Sequence, residues 1–185
     1  MPQPINTNTT SKPRRAVLTR PLCAIEIAAI VGEWAYVEDV LTLMFSAAMG
    51  SHITREDGGN NVTQNWVAKI AMQELESIHT RLKIIDKTLA PLLPPALQAS
   101  WQILEKALRS RAKDRNLVAH ASWALVDEFP DDLILEIAGG KYARYTQKDF
   151  KDILDRISDV YIETYNFMEA VLSAQRNGTV QIPRH

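Results

Sequence analysis

Apolar residues recur at helical spacing over four long stretches of the chain, and alternate with polar ones over a shorter region between the third and fourth. The first stretch, Pro21 to Met49, opens on a proline, which a helix accepts in its first turn, and closes at Gly50. It is apolar on nearly every side, the pattern of a central helix or of one that buries a second face against a partner subunit. At about 100° per residue, Glu26 and Glu33 share a stripe with Ile30, Val37 and Met44, so two acids stand where apolar residues are expected.

Residues 50–61 (GSHITREDGGNN) are expected to form a loop. A second helix is expected from about Val62 to Ala90 on Trp66, Ile70, Leu75, Ile78, Leu82, Ile85 and Leu89. It stops at LAPLLPP, because Pro91, Pro94 and Pro95 cannot lie inside a straight helix. A third helix, about Pro95 to Ala121, rests on Leu97, Trp101, Leu104 and Leu108. Alternation then takes over in Trp123–Phe129 and Leu133–Ile137, joined by Pro130-Asp131-Asp132, and Gly139-Gly140 leads to a third strand at Lys141–Tyr145. In the last helix Thr146 can cap the first turn while Asp149 takes the reciprocal position, and the pattern runs to Arg176 before Asn177-Gly178.

Four such helices with mostly short connections pack most simply as an antiparallel bundle. The expected fold is therefore mainly all-α: a four-helix bundle with a small β-hairpin or three-stranded meander, about 123–145, between helices three and four. Trp34, Trp66 and Trp101 fall at helical spacing and are expected in its core. Residues 21–176 form one domain in this reading, flanked by a loose C-terminal tail, 177–185, and by a disordered tail, 1–20, with four bases and no acid.

A length of 185 residues suffices for a sizeable core without disulfides or metals. A formal charge of -1 argues against wholesale electrostatic binding of nucleic acid, so any such contact is local. The longest apolar run, Leu22 to Gly32, is interrupted by Glu26 and falls short of the roughly 20 residues of a membrane helix. The lone cysteine, Cys23, cannot form an intramolecular disulfide and lies in an apolar run, which suits a core position and a cytoplasmic location.

Candidate chemistry collects where the third helix ends, in Arg115-Asn116-Leu117-Val118-Ala119-His120. Asn116 and His120, four apart, share a helix face, so the amide can hold one imidazole nitrogen, and the long Arg115 side chain can reach the same volume. Between residues 105 and 115, Lys106, Arg109, Arg111, Lys113 and Arg115 face only Glu105 and Asp114, a field that favours an anion. Histidine exchanges a proton near neutral pH, and arginine stays charged and can grip a phosphate bidentately. Together they suit phosphoryl transfer, in which a base activates an RNA 2′-hydroxyl and a guanidinium stabilises the phosphorane.

RNLVAH resembles the signature of the HEPN superfamily of helical-bundle ribonucleases and nucleotide-binding domains: an Arg, a polar residue after it, and a His four to six residues beyond the Arg. The extended RNLVAHASW is similar to an uncharacterised bacterial branch with RNxxAHG and an aromatic, where Ala121 here replaces the Gly. The resemblance implies a bundle that dimerises with two motifs facing each other, and metal-independent RNA cleavage, without a cofactor, by Arg115 and His120. Asn116 would orient them, and Glu33 would support Arg115. Arg109, Arg111 and Lys113 would attract the RNA, and Trp123 would offer a base-stacking surface or pack the hairpin instead. Such a homodimer would be a toxin or phage-defence component, with a nucleotidyltransferase-type antitoxin as the implied partner.

The alternative is a non-catalytic module of the same kind that binds RNA, a nucleotide or a protein. In a purely structural bundle, Arg115 would pair with Glu26 or Glu33 while His120 capped the helix. Glu76 and His79 have the spacing of a di-iron ligand pair, but no second Glu-x-x-His accompanies them, and a solvated face suits them better. The sequence also lacks a Gly-rich phosphate loop, Cys-x-x-Cys and HExxH.

Overall fold

The computed structural model describes residues 2–5, 10–13, 15–49, 53–56, 59–62, 66–137 and 141–180, with the backbone alone for those between 53 and 62. The described chain is mainly helical, with a small four-stranded antiparallel sheet. It divides into two compact units: residues 1–34 with 111–159, and residues 35–110 with 160–185. Among the described residues no helix is long and apolar enough to cross a membrane.

The first unit holds the sheet, in the order β1 (Gln3–Ile5), β6 (Lys141–Tyr145), β5 (Leu133–Ile137), β4 (Trp123–Ala124). It also takes the first part of α1 (Pro21–Ala48), the last part of α4 (Pro95–His120) and the first part of α5 (Gln147–Arg176). The second and third strands of the expected meander form, with Leu133 opposite Tyr145, but the first, expected over Trp123–Phe129, is only Trp123–Ala124, with Trp123 opposite Leu135. Period-two alternation assigns the faces. Trp123, Leu133 and Tyr145 lie on one, where Trp123 and Tyr145 meet Phe150 of α5, while Ala124 and Ile134 lie with Val126, Ile5, Phe129 and Tyr142 on the other.

Residues 3–5 correct the expected tail, because they pair with Tyr142–Arg144 as an edge strand. Ser11 and Leu125 exchange both backbone hydrogen bonds, at 3.0 and 2.8 Å, and Ala16 is buried in a 3-10 turn, Ala16–Thr19. Arg20 Nε donates to the Asp132 carbonyl at 3.3 Å. Backbone pairing and charge-assisted bonds thus anchor a segment that has no hydrophobic period of its own.

The expected cap of the last helix forms. The Thr146 N–H donates to Asp149 Oδ2 at 3.0 Å and the Asp149 N–H to Thr146 Oγ1 at 3.2 Å. Burial works to raise the Asp149 pKa, but the hydrogen bonds from the Thr146 N–H and hydroxyl outweigh it and hold the carboxyl below its ordinary range.

In the second unit the expected helix 62–90 is divided into α2 (Trp66–Gln73) and α3 (Ile78–Thr88). Arg81 explains how the break is held: its Nε donates to the Leu75 carbonyl at 2.8 Å, and its Nη1 meets Glu38 at 3.0 Å. The carbonyl released from the helix is thereby satisfied. The break also changes the phase of the apolar stripe, so α2 buries Ala68 and Met72 and leaves Trp66 70% exposed, outside the core where it was expected.

Part of the expected loop 50–61 is a backbone-paired antiparallel ribbon, β2 (Ile53–Glu56) with β3 (Gly59–Val62). Trp101 is in the core as expected, 5.7 Å from the Phe167 ring, with its indole N–H on Asp86 at 3.2 Å. α5 ends with Gly178 at φ +72°, the left-handed conformation glycine adopts readily, and Val180 folds back and is buried. The loose tail is therefore not loose at residues 177–180, and 181–185 lie outside the described residues.

Candidate functional site

α4 carries Arg115, Asn116 and His120 on its last turns, all within the first unit. Ala112 and Val118 anchor these turns in the core, and that fixes which side chains point outward. Asn116 and His120 are exposed and Arg115 is half-buried. Arg115 Nη1 donates to Asn116 Oδ1 at 3.1 Å, and Arg115 Nε is buried without a hydrogen-bond partner. The side chain of His120, the final residue of α4, makes no hydrogen bond or ion pair among the described residues. The amide therefore steadies the guanidinium, not the imidazole as its i, i+4 spacing suggested.

The charge pattern around the motif is more balanced than its composition. Arg111 pairs with Asp114 at 3.0 Å, and Arg156 of α5 approaches the same carboxylate at 4.0 Å. In the second unit Arg109 pairs with Glu105 at 2.6 Å, and its Nη1 lies 2.6 Å from His79 Nδ1. Arg109 and Arg111, both expected to attract RNA, are thus engaged by neighbouring acids. Lys113 is exposed and makes no ion pair among the described residues. Like Lys113, Arg115 makes no ion pair among the described residues.

Trp123 is 6% exposed and meets the rings of Tyr145 and Phe150 edge-on, with centroids 5.2 and 5.4 Å away. It packs the sheet and is not a free stacking surface, because its faces are spent on the core. Burial, Asp114 and Asp149 together push the Tyr145 phenol above its ordinary pKa.

Glu33 is half-buried and makes no ion pair with Arg115 among the described residues. Glu26 is buried, accepts a hydrogen bond from Gln147 Nε2 at 3.0 Å and lies 3.9 Å from Lys151 Nζ. Neither acid takes Arg115, and α5 supplies the partners of Glu26. Glu76 and His79 are exposed, and among the described residues no three His, Cys, Asp or Glu side chains gather as a metal-holding group.

Immediately after the motif lies a feature that sequence reasoning missed. A cavity of about 570 Å³ is bounded by Lys12, Pro13 and Arg15 to Leu18 of the N-terminal segment and by Ala121, Ser122 and Trp123. No local pattern announces it, because its two walls come from segments brought together only by sheet pairing.

No protein-family model, curated protein or solved structure matches this chain.

Proposed function

We propose that the chain is a metal-independent endoribonuclease of HEPN type, with Arg115 and His120 as its catalytic residues. One observation carries the reading. The Arg115 guanidinium is steadied on one side by Asn116 and holds a buried N–H without an acceptor, one turn from an exposed, unengaged imidazole. An unmet buried donor costs about 1–3 kcal/mol, more when charged, and such groups are retained where a binding or catalytic role requires them.

In this reaction the 2′-oxygen attacks the adjacent phosphorus, the bond to the 5′-oxygen breaks, and a 2′,3′-cyclic phosphate and a 5′-hydroxyl result. His120 exchanges the proton of the attacking or the departing oxygen, and Arg115 stabilises the charge on the phosphorane. The reading includes a homodimer with two motifs facing one cleft, and the exposed Leu22 and Ile25 of α1 supply apolar surface for pairing. It also includes the four-helix HEPN bundle, a cytoplasmic location, a toxin or phage-defence role and a nucleotidyltransferase-type antitoxin as partner.

A second reading, a module that binds RNA or a nucleotide without cutting it, is favoured by the absence of an orienting partner on His120 among the described residues. Cleavage of a mixed pool of structured RNAs in EDTA separates the two. The nuclease reading expects cyclic-phosphate ends from wild type and none from folded His120→Ala. Binding without cleavage in both proteins would transfer the function to the second reading.

A further inference from the structure

We infer that the cavity beside the motif is a nucleotide-binding subsite, with Arg15 as the residue that holds its phosphate. The inference rests on the reading of Arg115 and His120 as a phosphate site and adds the place where the neighbouring nucleotide sits.

Charge points to the ligand class first. Among the described residues lining the cavity, Lys12 and Arg15 are cations and none is an acid. Lys12 is bonded to the Glu136 carboxylate, and that pairing cancels much of its field. Arg15 is exposed and makes no hydrogen bond or ion pair through its side chain among the described residues, so its guanidinium can take an anion bidentately. The Ser122 hydroxyl on the opposite wall adds a donor.

The remaining wall suits a base and sugar. Ala16, Val17 and Ala121 make it largely apolar, and about 570 Å³ lies within the range of small-ligand sites. The cavity is also built in advance. Paired strands, the Ser11–Leu125 exchange and the Arg20–Asp132 bond hold its N-terminal wall against the sheet. The cost of ordering that wall is therefore met during folding and not at binding. Its other wall begins one residue after His120, so a strand whose phosphate meets Arg115 and His120 would lay an adjacent nucleotide here.

One ligand chemistry, a nucleoside monophosphate unit, has two sources: a residue of an RNA strand or a free nucleotide. Equilibrium binding to the full chain is measured with AMP and with a short 2′-O-methyl oligoribonucleotide, which cannot be cleaved through its 2′-oxygen. Wild type, Arg15→Gln and Arg15→Glu are compared, with circular dichroism to check folding. Wild type is expected to bind at least one probe, and Arg15→Gln to weaken it by about 10-fold or more, the loss typical of a hydrogen bond to a charged group. Arg15→Glu is expected to weaken it further. Loss confined to the oligoribonucleotide assigns the site to a strand, and loss for AMP as well assigns it to free nucleotides also. Unchanged binding in Arg15→Gln, or no binding of either probe by wild type, would overturn the inference. Arg15-dependent AMP binding in a protein that cleaves no RNA would leave the subsite standing and remove the nuclease.

Discussion

Asn116 Oδ1 accepts a hydrogen bond from Arg115 Nη1 at 3.1 Å, so the polar residue of the motif serves its immediate neighbour. Asn116→Ala is therefore expected to lower RNA cleavage about tenfold by loosening the guanidinium, while Arg115→Ala lowers it by about 100-fold or more. A loss in Asn116→Ala as large as that in Arg115→Ala would show that Asn116 does more than steady the guanidinium.

The Thr146–Asp149 cap gives a prediction with a defined pH window. Asp149 has a lowered pKa in the folded chain, so its contribution is present above the unfolded carboxylate value and is lost as pH falls through the folded one. Asp149→Ala should cost about 1 kcal/mol near pH 7 in urea unfolding. The gap between the two proteins should narrow as pH falls from the ordinary carboxylate range through the lower folded value. An unchanged gap in acid would mean that the carboxylate charge contributes nothing.

Trp123 should behave as a core residue. Trp123→Ala is expected to destabilise by about 3–5 kcal/mol, and Trp123→Phe by much less, since a ring would still meet Tyr145 and Phe150. A cost below about 1 kcal/mol for Trp123→Ala would show that the ring is not part of the core.

Cys23 is buried, its Sγ lies 3.5 Å from the Asp131 carbonyl, and burial is the main cause that pushes the thiol up to about 11. At neutral pH it should react with an aromatic disulfide reagent more than a hundredfold more slowly in the native chain than in urea. Rapid native labelling would mean that α1 opens near its start.

How much of this was legible in the sequence depends on the range over which each signal acts. The long helices α1, α4 and α5 follow from local spacing and from Pro21, Pro95 and the Thr146–Asp149 pair, all of which act within one turn. The break after Gln73 was not legible, because Glu74-Leu75-Glu76-Ser77 contains neither Pro nor Gly and the Arg81 bond that holds it is a tertiary event. The β2–β3 ribbon had a signal: Asp57-Gly58 between its strands is a common hairpin dipeptide. At the site, spacing placed Arg115, Asn116 and His120 together, but it could not tell that Asp114 would engage Arg111 or that Tyr145 and Phe150 would enclose Trp123. Side-chain partners across elements are not encoded in a helical period.

The N-terminal residues have a further consequence for how the protein behaves in concentrated solution. Gln3–Ile5 cover the outer row of β6, and Ser11 occupies the backbone of Leu125 beyond the two-residue β4, so the same short segment engages both margins of the sheet. Pro4, which lacks an N–H, makes the exposed side of β1 a poor template for another strand. Trimming these residues would bare two rows of backbone donors and acceptors on a sheet with apolar faces, and the chain would gain a route to self-association through strand addition.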